Sequence, residues 1–238
     1  MLPTHKKIID ICLIIAALPL LFCSFTSAEN ISPTATRHSE NQIIFDSPVA
    51  KIYDVAPWLK PGLLNSTRIE LKFGSYGVQV LTQDMFSASA TRLSNLYSTR
   101  EVEKITRTLA FTQYVAEIDD QLRVAHEEIV AGGSIGATLK KYGFELKKDL
   151  FFKGLVEDMP VQVQTLMHTK ENSFATVIYN LSAKSERGYL PYCTIVEIYA
   201  PQFLTLEEID LIYPELQREK TSQVDYIFNR MKDLINKL

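Results

Sequence analysis

The chemically informative residues of this 238-residue chain are charged side chains set inside apolar, strand-like runs. Glu197 sits in Thr194-Ile195-Val196-Glu197-Ile198-Tyr199. Arg100 sits in Leu96-Tyr97-Ser98-Thr99-Arg100-Glu101-Val102, and Arg107 in Lys104-Ile105-Thr106-Arg107-Thr108-Leu109-Ala110-Phe111. Ile105, Arg107, Leu109 and Phe111 share one side of an extended chain, so Arg107 shares a face with three apolar residues. A charge so placed is paired, held at a sheet edge with its head in water, or turned toward a polar pocket, because unpaired burial is costly. The chemistry open to these residues is ion pairing within the fold or recognition of a ligand.

Other chemistries find less support. His38, His126 and His168 have no second ligand at the spacings of a zinc site, and they read as solvated or locally bonded. Gly133-Ser134-Ile135-Gly136 lacks both the spacing of a serine elbow and the Lys-Ser/Thr of a phosphate loop; it reads as a glycine turn between helices. Cys193 lies among Tyr192, Thr194 and Ile195 with no histidine nearby and reads as a small buried hydrophobe. Lys+Arg number 25 against 28 Asp+Glu, so there is no basic footprint for nucleic acid. No cofactor motif is present, and no sequence feature specifies a protein partner.

The hydrophobic period describes the scaffold. Trp58-Leu59 and Leu63-Leu64 are apolar anchors, and Asn65 or Ser66 caps a short helix over Thr67–Phe73 that Gly74 stops. Val78–Gln83 is a strand, and 96–102 with 104–114 predict a β-hairpin. Ile118, Leu122, Ala125 and Ile129 recur at helical spacing, which predicts a helix over Ala116–Val130 closed by Gly132-Gly133. Ile135–Lys141 is a second short helix. Strands follow at 144–152, 174–181 and 190–198, and the chain from Thr205 is helical in period. The fold class is α+β: an antiparallel β-sheet with helices packed on one side of it and a helical C-terminal extension.

The first 28 residues have the shape of an export signal. Lys6 and Lys7 precede an unbroken apolar run from Ile11 to Phe22, and Thr26-Ser27-Ala28 offers small residues for cleavage after Ala28. A retained anchor and lipidation at Cys23 are the rival readings; Asp10 and Pro19 count against the first, and Phe22 before the cysteine against the second. Cleavage predicts an exported chain without an integral membrane span. It also leaves Cys193 alone, so stability rests on the core and not on a disulfide. The organisation predicted is a signal peptide at 1–28, a disordered arm at 29–42, ordered structure from about Ile43, a domain at 43–204 and the helical extension at 205–238.

The order of these residues resembles the chorismate lyase family and the related ligand-binding domain of GntR-type regulators. The resemblance runs from Trp58-Leu59 and Leu63–Thr67 through Val78–Leu81, Arg100-Glu101-Val102, Arg107-Thr108 and Ser134-Ile135-Gly136 to Thr194–Pro201. It implies a chorismate lyase-like sheet over a closed small-molecule pocket. It further implies that Arg100 holds a ligand carboxylate, with Glu197 at the far end as acid or hydrogen-bond partner. Arg107 would add an anion contact, and the backbone at Ile135 would close the pocket. If the protein is a lyase, Arg100 and Glu197 are its catalytic residues, converting chorismate to pyruvate and 4-hydroxybenzoate. An export leader would part such an enzyme from cytoplasmic chorismate. Binding of a small, possibly aromatic, carboxylate therefore comes first, with turnover or a non-catalytic interaction role as alternatives.

Overall fold

The computed structural model describes residues 55–85, 90–216 and 221–238; the leader, the arm and the onset of order near Ile43 lie outside them. No helix among the described residues is long and apolar enough to cross a membrane.

Six strands form one antiparallel sheet: β1 (Gly77–Asp84), β2 (Thr91–Arg100), β3 (Glu103–Tyr114), β4 (Leu146–Val156), β5 (Phe174–Ser185) and β6 (Gly188–Tyr199), in the spatial order β1-β2-β3-β6-β5-β4. The expected hairpin is β2–β3, closed by the two residues Glu101 and Val102 between the paired Arg100 and Glu103. Glu101 takes a positive φ of 57° at the first position of this turn, as short hairpin loops require. β2 begins well before Leu96, at Thr91, which brings Arg92 and Ser94 into the sheet.

Each face has its own character, because neighbours along a strand point oppositely. In one row, Leu93, Phe111, Val196, Ile178 and Phe152 are cross-strand partners, and all are buried. The Phe228 ring packs edge-on against Phe152 at 5.7 Å, so α6 (Ser222–Ile235) covers this apolar face. Helices therefore lie on both sides of the sheet, not on one. The opposite face carries Ser94, Ala110 and Glu197 in register, and this is the face with the cavity.

Several helices touch the cavity side. α1 (Asn65–Phe73) ends at Gly74, whose φ of 75° lets its N–H close back on the Glu70 carbonyl. α2 spans only Arg123–Val130, because Asp119 accepts the Gln121 N–H and starts a 3-10 turn at Asp120–Leu122. The 116–119 stretch expected as helix therefore is not. α3 is Ile135–Lys141, as the period indicated. α4 (Val161–Met167), which the sequence reading did not mark, buries Val163 and Met167. α5 (Leu206–Ile212) opens on a reciprocal cap between Thr205 and Glu208. Val224, Ile227, Met231 and Ile235 of α6 are buried in the main core, so this last helix is integral to the domain's packing.

Candidate functional site

A cavity of about 70 Å³ lies between the polar face of the sheet and a roof made by the start of α1 and the α2–α3 turn. Every strand contributes to its wall: Val78 from β1, Arg92 from β2, Thr112 from β3, Lys148 from β4, Tyr179 from β5 and Glu197 from β6. Leu64, Asn65, Ser134, Ile135 and Gly136 form the roof, with Tyr76 beside them.

Arg92 is 1% exposed and has no carboxylate partner among the described residues. Its Nε donates to Ser94 Oγ at 2.7 Å, and Nη1 donates to the carbonyls of Ile129 at 2.7 Å and Gly133 at 3.0 Å. Ile129 stands in the last turn of α2, where the carbonyls carry partial negative charge, and its own carbonyl also accepts the Gly132 N–H at 3.0 Å. The helix end thus does the work of a counter-ion. Three of the five guanidinium N–H groups are engaged in this way.

Glu197 is 4% exposed and is held from two sides, by the Tyr199 hydroxyl donating to Oε2 at 2.7 Å and the Tyr179 hydroxyl donating to Oε1 at 3.1 Å. Burial, reinforced by the adjacent carboxylate, pushes both phenols well above their ordinary range, so they remain donors. Each carboxylate oxygen keeps a further lone pair for another donor. Along the same row, beyond Val177, Lys153 is also buried, but it is occupied by Asp210 at 3.0 Å and the Tyr213 carbonyl.

Other wall groups complete the field. Lys148 Nζ sits 4.4 Å above the Tyr179 ring and makes no ion pair with a described residue. Tyr76, whose pKa is raised by burial, donates to Ser134 Oγ at 3.0 Å and feels both Arg92 and Glu197. Asn65 is 6% exposed; its Nδ2 donates to Thr108 Oγ1 at 3.0 Å, while its Oδ1 is buried with no partner among the described residues. The cavity therefore offers two cations and one carboxylate among mainly apolar neighbours.

Of the residues singled out from sequence, Glu197 and Ile135 meet at this cavity. Arg100 does not reach it: it ends β2 and is exposed next to the hairpin turn. Arg107 is not a wall residue either; its guanidinium lies 3.7 Å over the Phe73 ring and its Nε donates to Ser98 Oγ at 2.9 Å. The arginine in the wall is Arg92, which a polar stretch of sequence had concealed. Asn65, expected as a cap, begins α1 and turns its amide to Thr108 instead. No group of three or more His, Cys, Asp or Glu among the described residues could hold a metal ion.

No family model matches the chain, and no curated protein does. Solved structures do. The effector domain of PhnF from Mycobacterium smegmatis matches over 61% of this chain and 94% of its own, at 12% identity and a TM-score of 0.39. PhnF from the same organism matches over 68% and 71%, at 11% identity and a TM-score of 0.38. Gene product SA0254 from Staphylococcus aureus matches over 64% and 93%, at 10% identity and a TM-score of 0.31. The likeness is one of fold. These neighbours have the chorismate lyase-like α+β fold that the residues resemble, and no ligand or activity passes from them to this chain.

Proposed function

We propose that this chain is an exported small-molecule binding module whose cavity takes a small carboxylate. The observation that carries this reading is that Arg92 and Glu197, both almost fully buried, line one cavity from opposite sides of β3. Buried charges are expensive to keep, and a cavity wall is where a ligand can make use of them. Lys148 adds a second cation without an ion partner among the described residues, so the wall favours an anion.

Size limits the occupant. A cavity of about 70 Å³ holds several waters or one compact acid, whereas a dry cavity that takes up benzene measures about 150 Å³. Chorismate turnover has less support on the same ground, and Arg100, the carboxylate anchor implied by the resemblance, stands outside the wall.

Calorimetry on the mature chain with acetate, propionate, butyrate and 4-hydroxybenzoate tests the proposal. Saturable one-to-one binding of an aliphatic acid, weakened at least tenfold by Arg92→Met, is expected. Heats no larger than dilution across the panel overturn it. Incubation with chorismate should release no 4-hydroxybenzoate.

A further inference from the structure

The cavity holds an asymmetry that a plain carboxylate would leave unanswered. One end presents a donor, the Arg92 guanidinium. The other presents acceptors: Glu197, whose oxygens each retain capacity after the tyrosine bonds, and Asn65 Oδ1, buried and unpartnered. The register sets the distance between the ends. Arg92 is opposite Thr112, Thr112 is opposite Ile195, and Glu197 lies two residues past Ile195 along β6. With strands about 4.8 Å apart and a rise of about 3.4 Å per residue, the two Cα atoms are about 12 Å apart. Their side chains reach inward from there, which leaves room between the tips for a short aliphatic spacer.

Building on the small-carboxylate reading, we propose that the ligand is a compact zwitterion, an amino acid whose ammonium and carboxylate are separated by a short carbon chain. Its carboxylate meets Arg92, and its ammonium meets Glu197 and Asn65. The match is one of valence. An ammonium brings three donors, enough for a carboxylate and the orphan amide oxygen together, whereas a hydroxyl brings one and a methyl none. Asn65 is then a specificity residue: its Nδ2 is anchored on Thr108, and its Oδ1 is left to read the ligand's positive end. Both charged ends of the ligand are satisfied without placing a net charge in the interior, as a buried site requires.

Three probes of six heavy atoms and the same chain length isolate the claim: β-alanine, 3-hydroxypropionate and butyrate. On the wild-type chain near neutral pH, β-alanine should bind at least tenfold tighter than butyrate, with 3-hydroxypropionate between them. Asn65→Leu should abolish most of that preference, while Asn65→Asp, which keeps an acceptor at the same place, should retain it. Glu197→Gln should reduce β-alanine affinity more than butyrate affinity. If butyrate binds as tightly as β-alanine, the zwitterion is wrong while the small-carboxylate cavity stands. If none of the three binds and the acid panel above is silent too, both fall. The comparison of probes needs no variant, so a misfolding substitution cannot rescue the proposal.

Discussion

Arg92 and Glu197 stand on the same face of the sheet, separated by β3 and offset by one pair of residues along the strands, and both line one cavity. Neither is neutralised by the other. The guanidinium rests on backbone carbonyls at the end of α2, and the carboxylate rests on two phenols. Two buried charges with separate neutral supports form a preorganised dipole, ready for a ligand that bridges them.

Arg92 has a structural duty as well as a binding one, and the two can be separated. Arg92→Met removes the donor to the Gly133 carbonyl and leaves the Ile129 carbonyl with the Gly132 N–H alone, so one group is stranded and the loss of stability should be about 1–3 kcal/mol. Chemical denaturation measures that loss, and calorimetry measures the lost acid binding. Arg100→Ala is the control. Its side chain is exposed at the end of β2, so stability should change by less than about 0.5 kcal/mol and binding not at all.

The tyrosines should govern the alkaline limit. Burial raises the pKa of Tyr76, Tyr179, Tyr192 and Tyr199, and lifts Tyr114 to about 12. A raised folded pKa means that the unfolded chain loses phenolic protons first. Stability is therefore steady below about pH 10 and falls as pH climbs beyond it. Denaturation midpoints taken at rising pH should fall there, and phenolate absorbance from these five should appear together with unfolding. Early phenolate absorbance from a folded Tyr199→Phe chain that is missing in wild type would show that Glu197 and Tyr199 hold Tyr179 in place.

Much of the sheet could be read from period alone, since β3, β5 and β6 carry enough apolar residues to announce themselves. The cavity side could not. Thr91-Arg92-Leu93-Ser94-Asn95 has one apolar residue in five, because Arg92 and Ser94 face the cavity while Thr91 and Asn95 put polar side chains on the face that Leu93 shares. The strand start was thus hidden together with its arginine, and Arg100 stood out only because its neighbours resembled a family pattern. Glu197 was legible for the opposite reason: a lone charge in an apolar run has to be accounted for. Asn65 illustrates a limit of local rules, since a good capping residue gave up its cap for a tertiary bond to Thr108.

Acid should act through His126. Its ring stacks edge-on against Tyr114 at 5.3 Å and Tyr192 at 5.9 Å, with Nδ1 3.0 Å from the Tyr192 hydroxyl; Glu127 is the charged neighbour on its own helix. Burial holds its pKa below 6.5, more than Glu127 raises it. With the folded pKa depressed, the unfolded chain binds the proton first, so this contribution is whole above pH 6.5 and declines as pH falls through the window beneath. His126→Gln keeps an acceptor for Tyr192 without a titrating ring. Its denaturation midpoint should vary less than wild type's across that window, and two parallel curves would remove His126 from the acid response.

Gly133 should prove irreplaceable because of contact. A Cβ there would lie 2.9 Å from the Glu128 carbonyl oxygen and 2.8 Å from Thr138 Oγ1, so the turn between α2 and α3 would have to move. That movement carries the Gly133 carbonyl away from Arg92 and opens the cavity roof. Gly133→Ala should therefore cost about 1–3 kcal/mol, the usual penalty of forced overpacking, and weaken acid binding as well. Adding Thr138→Ala relieves the hydroxyl contact but not the backbone one. The double variant should recover less than half of the loss by chemical denaturation; full recovery would mean that the crowding is a side-chain matter and that the carbonyl never left the guanidinium.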